Sequence, residues 1–132
     1  MEKSNGRILL IDDDREFIQS VSDILTQEGW SVFPTYTGEE GIKAAASLQP
    51  DLVILDVMLS YETEGFDVSR RILATPQLKG LPIILLTGIS KELSLPFQLL
   101  PDESWLPVAG ILPKPVEPAT LVSTVRAILE KD

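Results

Sequence analysis

The fold turns on the stretch Pro50-Asp51-Leu52-Val53-Ile54-Leu55-Asp56-Val57-Met58-Leu59. Four apolar residues, Leu52 to Leu55, stand between a Pro-Asp pair and a second aspartate. A short, wholly apolar run bounded in this way fits a central parallel strand covered on both faces. Such a strand needs neighbours, and the chain supplies them on either side. Arg7 to Ile11 (RILLI) is an apolar run ending in three aspartates, and Pro82 to Leu86 (PIILL) is another buried strand. Ala109 to Leu112 reads as a short fifth strand. Ser31 to Thr35 is a weaker one, and Pro34 inside it suggests an edge position, where a missing N–H costs least.

Helical spacing fills the intervals. Phe17, Ile18, Val21, Ile24 and Leu25 recur on one face, and Gly29 closes that helix. Thr37 with Glu40 has the form of a capping box, opening a helix that runs to about Leu48. Gly65 to about Ala74 reads as helix. Pro118 suits a first helical turn, and Leu121, Val122, Val125, Ile128 and Leu129 then form an apolar face. Between Lys91 and Pro107, the prolines Pro96, Pro101 and Pro107 break any long helix, so short helical pieces and loop are expected there. Alternating strands and helices predict a doubly wound α/β three-layer sandwich with a five-stranded parallel sheet. The order 2-1-3-4-5, the flavodoxin-like arrangement, is favoured for such a chain.

Composition narrows the function. The chain has 132 residues, one ordinary domain's length, with 44% hydrophobic and 23% charged residues. We therefore expect a single domain over 1–132 with no output domain. No apolar run approaches the ~20 residues needed to cross a bilayer, and MEKSNGR at the start lacks a signal peptide's apolar core. A net charge of −9 with no basic stripe argues against direct contact with nucleic acid. The absence of cysteine excludes disulfides and suits a reducing cytoplasm, and histidine is absent too. Metal chemistry must then use oxygen ligands, which favour a hard cation such as Mg2+.

In open α/β sheets, ligands bind beyond the carboxyl ends of the strands. Strand one is followed by Asp12, Asp13 and Asp14, strand three by Asp56, strand four by Thr87-Gly88, and strand five by Pro113-Lys114-Pro115. Taken singly, each has an ordinary structural explanation: Asp14 as a helix N-cap, Asp56 as a turn former, Thr87 as a satisfied hydroxyl, Lys114 as solvated surface. Together they are more specific. Carboxylates at the ends of two central strands converge, and like charges that close repel unless a cation lies between them. A hydroxyl and an ammonium group then complete an anion site.

Those pieces carry a resemblance over nearly the whole length. ILLIDDD, PDLVILDVML, GFDV, PIILLTG and LPKPV are similar to the response-regulator receiver family of two-component signalling. The resemblance implies that Asp56 is the phosphoacceptor, taking a phosphoryl group from a sensor histidine kinase or phosphotransfer protein. Asp13 would ligate Mg2+ directly and Asp12 through water. Asp56 and the backbone carbonyl of Met58 would complete the protein's ligands. Thr87 would bind a phosphoryl oxygen and move on phosphorylation, Lys114 would pair with the phosphoryl group, and the Lys114–Pro115 peptide would be cis. The family also implies a protein target downstream and phosphorylation-dependent homodimers, and it is a signalling rather than a turnover family.

Several residues depart from the family pattern. LSYETEGF replaces the usual LPxxxGF and is one residue longer, and the interval from Thr87 to Lys114 is long and proline-rich. Ile111 stands where many relatives carry an aromatic switch residue, a role we expect Trp105 to share. Met58 and Ile89, two past the acceptor and two past the threonine, cannot orient a water molecule, so slow autodephosphorylation is expected. Two other readings use the same residues: a pseudo-receiver that only binds partners, and a haloacid-dehalogenase-type Mg2+ phosphatase with Asp12 as nucleophile and Asp14 as acid/base. Arg15-Glu16 after Asp14 departs from the pattern of the latter. No GxGxxG or GxxxxGK[ST] follows the first strand, which disfavours a nucleotide-binding domain.

Overall fold

In the computed structural model the residues described are 6–56, 68, 70–72, 74–78, 80–87, 110–113 and 116–129. At 77, 87, 110, 111 and 113 only the backbone is described. Five strands, β1 (Arg7–Ile11), β2 (Ser31–Thr35), β3 (Leu52–Asp56), β4 (Ile83–Thr87) and β5 (Gly110–Pro113), form one sheet. Their order is β2-β1-β3-β4-β5 and each neighbouring pair is parallel. β3 is central and buried at every position, in keeping with its unbroken apolar sequence. Pro34 lies on β2, which pairs only with β1. The edge tolerates the missing N–H there.

Alternate side chains along the strands feed two cores, because successive strand residues point to opposite faces. Leu9, Ile11, Val53, Leu55, Ile83 and Leu85 pack with Ala45, Val68 and Ile72. Ile8, Leu10, Leu52, Ile54, Ile84 and Leu86 pack on the other face with Ile18, Val21, Leu25, Trp30, Leu121 and Val125. The second face carries α1 (Arg15–Gln27) and α3 (Pro118–Leu129), and the first carries α2 (Gly38–Leu48). Val68 and Arg70 to Ile72 are helical, within the helix expected from Gly65 to Ala74.

Local chemistry sets the boundaries. The Asp14 carboxylate accepts from the Phe17 N–H at 3.1 Å, capping α1. That helix stops at Gln27, and Gly29 follows at φ 100°, a backbone angle that costs glycine little. At α2 the cap forms, and the Glu40 side chain reaches back one residue beyond the N-cap. Thr37 Oγ1 accepts from the Glu40 N–H at 3.1 Å, and Glu40 Oε1 accepts from the Tyr36 N–H at 3.0 Å. Pro118 opens α3, as its fixed φ allows. Boundaries differ slightly from the expected ones: β4 and β5 begin and end one residue later, and Asp56 is itself the last strand residue. The segment from Lys91 to Pro107 lies outside the described residues.

Candidate functional site

Register brings the acidic residues together. Ile11 of β1 lies opposite Leu55 of β3, so the residues that follow, Asp12 and Asp56, stand side by side at the carboxyl edge of the sheet. Carboxylate oxygens of Asp12, Asp13 and Asp56 all lie within 4.8 Å of one another. Asp12 is 3% exposed and Asp56 4%, whereas Asp13 is exposed.

The backbone fixes the Asp12 side. Its N–H donates to the Thr35 carbonyl at 3.1 Å, continuing the sheet one step beyond β1. Its Oδ1 accepts from the Asp14 N–H at 2.9 Å, within the turn leading into α1. Thr35 is held in turn by its hydroxyl, which donates to the Leu10 carbonyl at 2.9 Å. Below the turn, α2 approaches β1 closely. A β-carbon placed on Gly41 would lie 2.3 Å from the Ile11 Cδ1, so only glycine permits this approach. The sequence carried a signal for it: an isolated glycine in a helical pattern marks close packing.

At the start of α1, the Arg15 guanidinium carbon lies 4.0 Å from the centroid of the Tyr36 ring, a contact the sequence did not reveal. On β4, Asp56 lies opposite Leu86, so the Thr87 backbone stands one residue beyond Asp56 on the neighbouring strand. Met58, Lys114, the Lys114–Pro115 peptide, Ile89 and Trp105 lie outside the described residues. For Thr87 and Ile111 the backbone alone is described. Of the expected site residues, the structure therefore brings Asp12, Asp13 and Asp56 together.

Two buried carboxylates and a third within 4.8 Å form an oxygen-only donor set. Such a set fits a small hard cation, and without a cation its charges repel. The arrangement can hold a divalent ion between the three carboxylates.

A doubly wound parallel sheet with a carboxylate cluster at its carboxyl edge defines the flavodoxin-like class in its acid-site form. Within that class the chain belongs to the response regulator receiver domain family, whose model matches residues 8–126. It is similar to the transcriptional regulatory protein AfsQ1 of Streptomyces coelicolor, at 36% identity over 94% of this chain and 51% of that protein. The transcriptional regulatory protein CpxR of Klebsiella pneumoniae is 35% identical over 96% of this chain and 50% of its own length. The chain thus spans about half the length of these curated relatives. Among solved structures, the Vibrio cholerae chemotaxis protein CheY4 superposes with a TM-score of 0.79 at 27% identity, covering 93% of this chain and 98% of that one. Membership places the chain in two-component signalling, as a signalling domain rather than a turnover enzyme. No helix among the described residues is long and apolar enough to cross a membrane.

Proposed function

We propose that this chain is a phosphoacceptor receiver, one three-layer domain over residues 1–132, in which Asp56 accepts a phosphoryl group. The single observation that carries the reading is the convergence of Asp12, Asp13 and Asp56 at the sheet edge. An Asp56 oxygen attacks phosphorus in line as the bond to the donor histidine nitrogen breaks, leaving the electron pair on the imidazole. The product is an aspartyl phosphate that water later hydrolyses.

Asp12, Asp13, Asp56 and the Met58 carbonyl would hold Mg2+, which when bound offsets the repulsion between the anionic acceptor and the anionic phosphoryl group. Asp12, fixed by Thr35 and Asp14, keeps the pocket's floor rigid. Thr87 and Lys114 are assigned to the phosphoryl oxygens, the hydroxyl donating a hydrogen bond and the ammonium group supplying charge. The donor is a sensor histidine kinase or phosphotransfer protein, and the output is contact with a protein target, with phosphorylation-dependent homodimerisation as one form of it. The net charge of −9 supports a reading without direct nucleic-acid contact for this chain. A cytoplasmic location follows from the same reading.

The test is incubation with acetyl phosphate and Mg2+, with intact-mass detection of the adduct in wild type, Asp56→Asn and Asp12→Asn. We expect one phosphoryl group on wild type, none on Asp56→Asn, and slowed incorporation with Asp12→Asn. Turnover of phosphomonoesters that depends on Asp12 would instead support a haloacid-dehalogenase-type phosphatase. No adduct under any condition would support a pseudo-receiver.

A further inference from the structure

Immediately after the Asp12 to Asp14 run, Arg15 opens α1 in an unusual setting. Arg15 follows Asp12, Asp13 and Asp14 and precedes Glu16, yet among the described residues its guanidinium makes no ion pair. It lies instead over the Tyr36 ring, 4.0 Å from the centroid, with its side chain at the exposed surface. Tyr36 is a firm support. Its ring packs against the α1 and α3 core, and its N–H is held by Glu40. It directly follows Thr35, whose carbonyl accepts from the Asp12 N–H, so the strand end that carries the ring is hydrogen-bonded to the neighbouring one that carries the acid pair. A guanidinium held over an aromatic face is steadied there while its N–H donors at the edge can still meet an anion.

The pocket itself gathers three carboxylates and belongs to a chain of net charge −9, a surface that repels an anionic donor on approach. We propose that Arg15, held by Tyr36, steers the phosphoryl group of the incoming donor toward Asp56. Arg15 is a positioning residue acting on encounter rather than on the bond-breaking step, and the proposal rests on the receiver reading above. The step it serves is balanced. With acetyl phosphate, an Asp56 oxygen forms the new bond to phosphorus while the bond from phosphorus to the acetate oxygen breaks, and acetate leaves with the electron pair.

The experiment measures the second-order rate of phosphorylation by acetyl phosphate, and by phosphoramidate, across ionic strength. Wild type is compared with Arg15→Gln, Arg15→Lys, Tyr36→Leu and Tyr36→Phe. Electrostatic steering changes association by about tenfold or more in favourable cases and fades with salt. We expect Arg15→Gln to lose about threefold to tenfold of the rate at low salt and nearly nothing at high salt. Arg15→Lys should restore part of the loss, Tyr36→Leu should mimic it, and Tyr36→Phe should behave as wild type. A rate and salt slope unchanged in Arg15→Gln would overturn the proposal, as would an equal loss at every ionic strength. Wild type that takes no phosphoryl group from either donor would instead sink the receiver reading itself. If only the acetyl phosphate rate responds, the contact reads the donor's acetyl end rather than its phosphoryl group, which also overturns the proposal as stated.

Discussion

At the scale of single residues, Asp56 is expensive. It is 4% exposed, and its carboxylate oxygens lie within 4.8 Å of those of Asp12 and Asp13. Two unit charges 4 Å apart interact by about 1 kcal/mol even in water and more at lower dielectric. Replacing Asp56 by the isosteric Asn removes a charge from this cluster. In chelator, urea unfolding of Asp56→Asn should therefore show a gain of about 1 kcal/mol over wild type. Wild type should gain about 2.7 kcal/mol with Mg2+ at a hundred times its dissociation constant, and the variant should lose most of that gain. A wild type whose stability ignores Mg2+ would remove the metal from the account. Met58, two past the acceptor, belongs to the same scale. Being apolar it cannot orient water, so Met58→Asn should accelerate loss of the phosphoryl group. An unchanged half-life of the phosphorylated form would refute that explanation.

At the scale of elements, the site depends on how closely α2 sits on β1. Gly41 would place a β-carbon 2.3 Å from Ile11 Cδ1 and 2.7 Å from its Cγ1. Ile11 immediately precedes the acid pair, so a clash there is passed to Asp12. Alanine favours a helix over glycine by about 1 kcal/mol, but overpacking a close contact costs about 1–3 kcal/mol. Gly41→Ala should therefore be neutral to destabilising by about 2 kcal/mol, with weakened Mg2+ binding. Adding Ile11→Val, which removes Cδ1, should recover part of both, by urea unfolding and Mg2+ titration. By contrast, the Arg126–Glu28 pair joining α3 to the end of α1, at 2.6 Å, has side chains 44% and 37% exposed. Solvent and side-chain entropy leave such a pair worth at most about 1 kcal/mol.

These elements also show what could be read in advance. LVIL pointed to β3 because a short unbroken apolar run between Pro50-Asp51 and Asp56 fits a strand buried on both faces. Pro34 marked the edge, and Thr37 and Glu40 marked a cap, since each has a local mechanism. The gathering of Asp12 with Asp56 was legible because parallel register puts equivalent strand ends side by side. Contacts between distant side chains carry no such periodic signal. The contact of Arg15 with Tyr36 does not follow from spacing, and an isolated Gly41 signals close packing without naming Ile11 as the side chain it meets. They are set by tertiary packing.

At the scale of the whole molecule, the question is how phosphorylation at Asp56 is reported elsewhere. Ile111 on β5 pairs with Leu85 of β4, next to the strand that ends in Thr87, so the backbone path from acceptor to β5 is short. Isoleucine there cannot swing a ring inward, and we assign part of that role to Trp105. Tryptophan emission tests it once the other indole is removed. Trp30 is buried in the α1 and α3 core with its Nε1 unpartnered among the described residues, so Trp30→Phe leaves Trp105 as the sole indole and fills most of the space. Phosphorylation of that variant should shift or quench its emission, and identical spectra with and without acetyl phosphate would count against a signalling role for Trp105.

The central claim, that Asp56 is the nucleophile, is tested most directly by trapping its acyl phosphate. Borohydride reduces an aspartyl phosphate to homoserine, and peptide sequencing by mass spectrometry then locates the reduced residue. After acetyl phosphate and Mg2+, homoserine should appear at position 56 alone and vanish when chelator replaces Mg2+. Homoserine at position 12, or at none, would contradict the account.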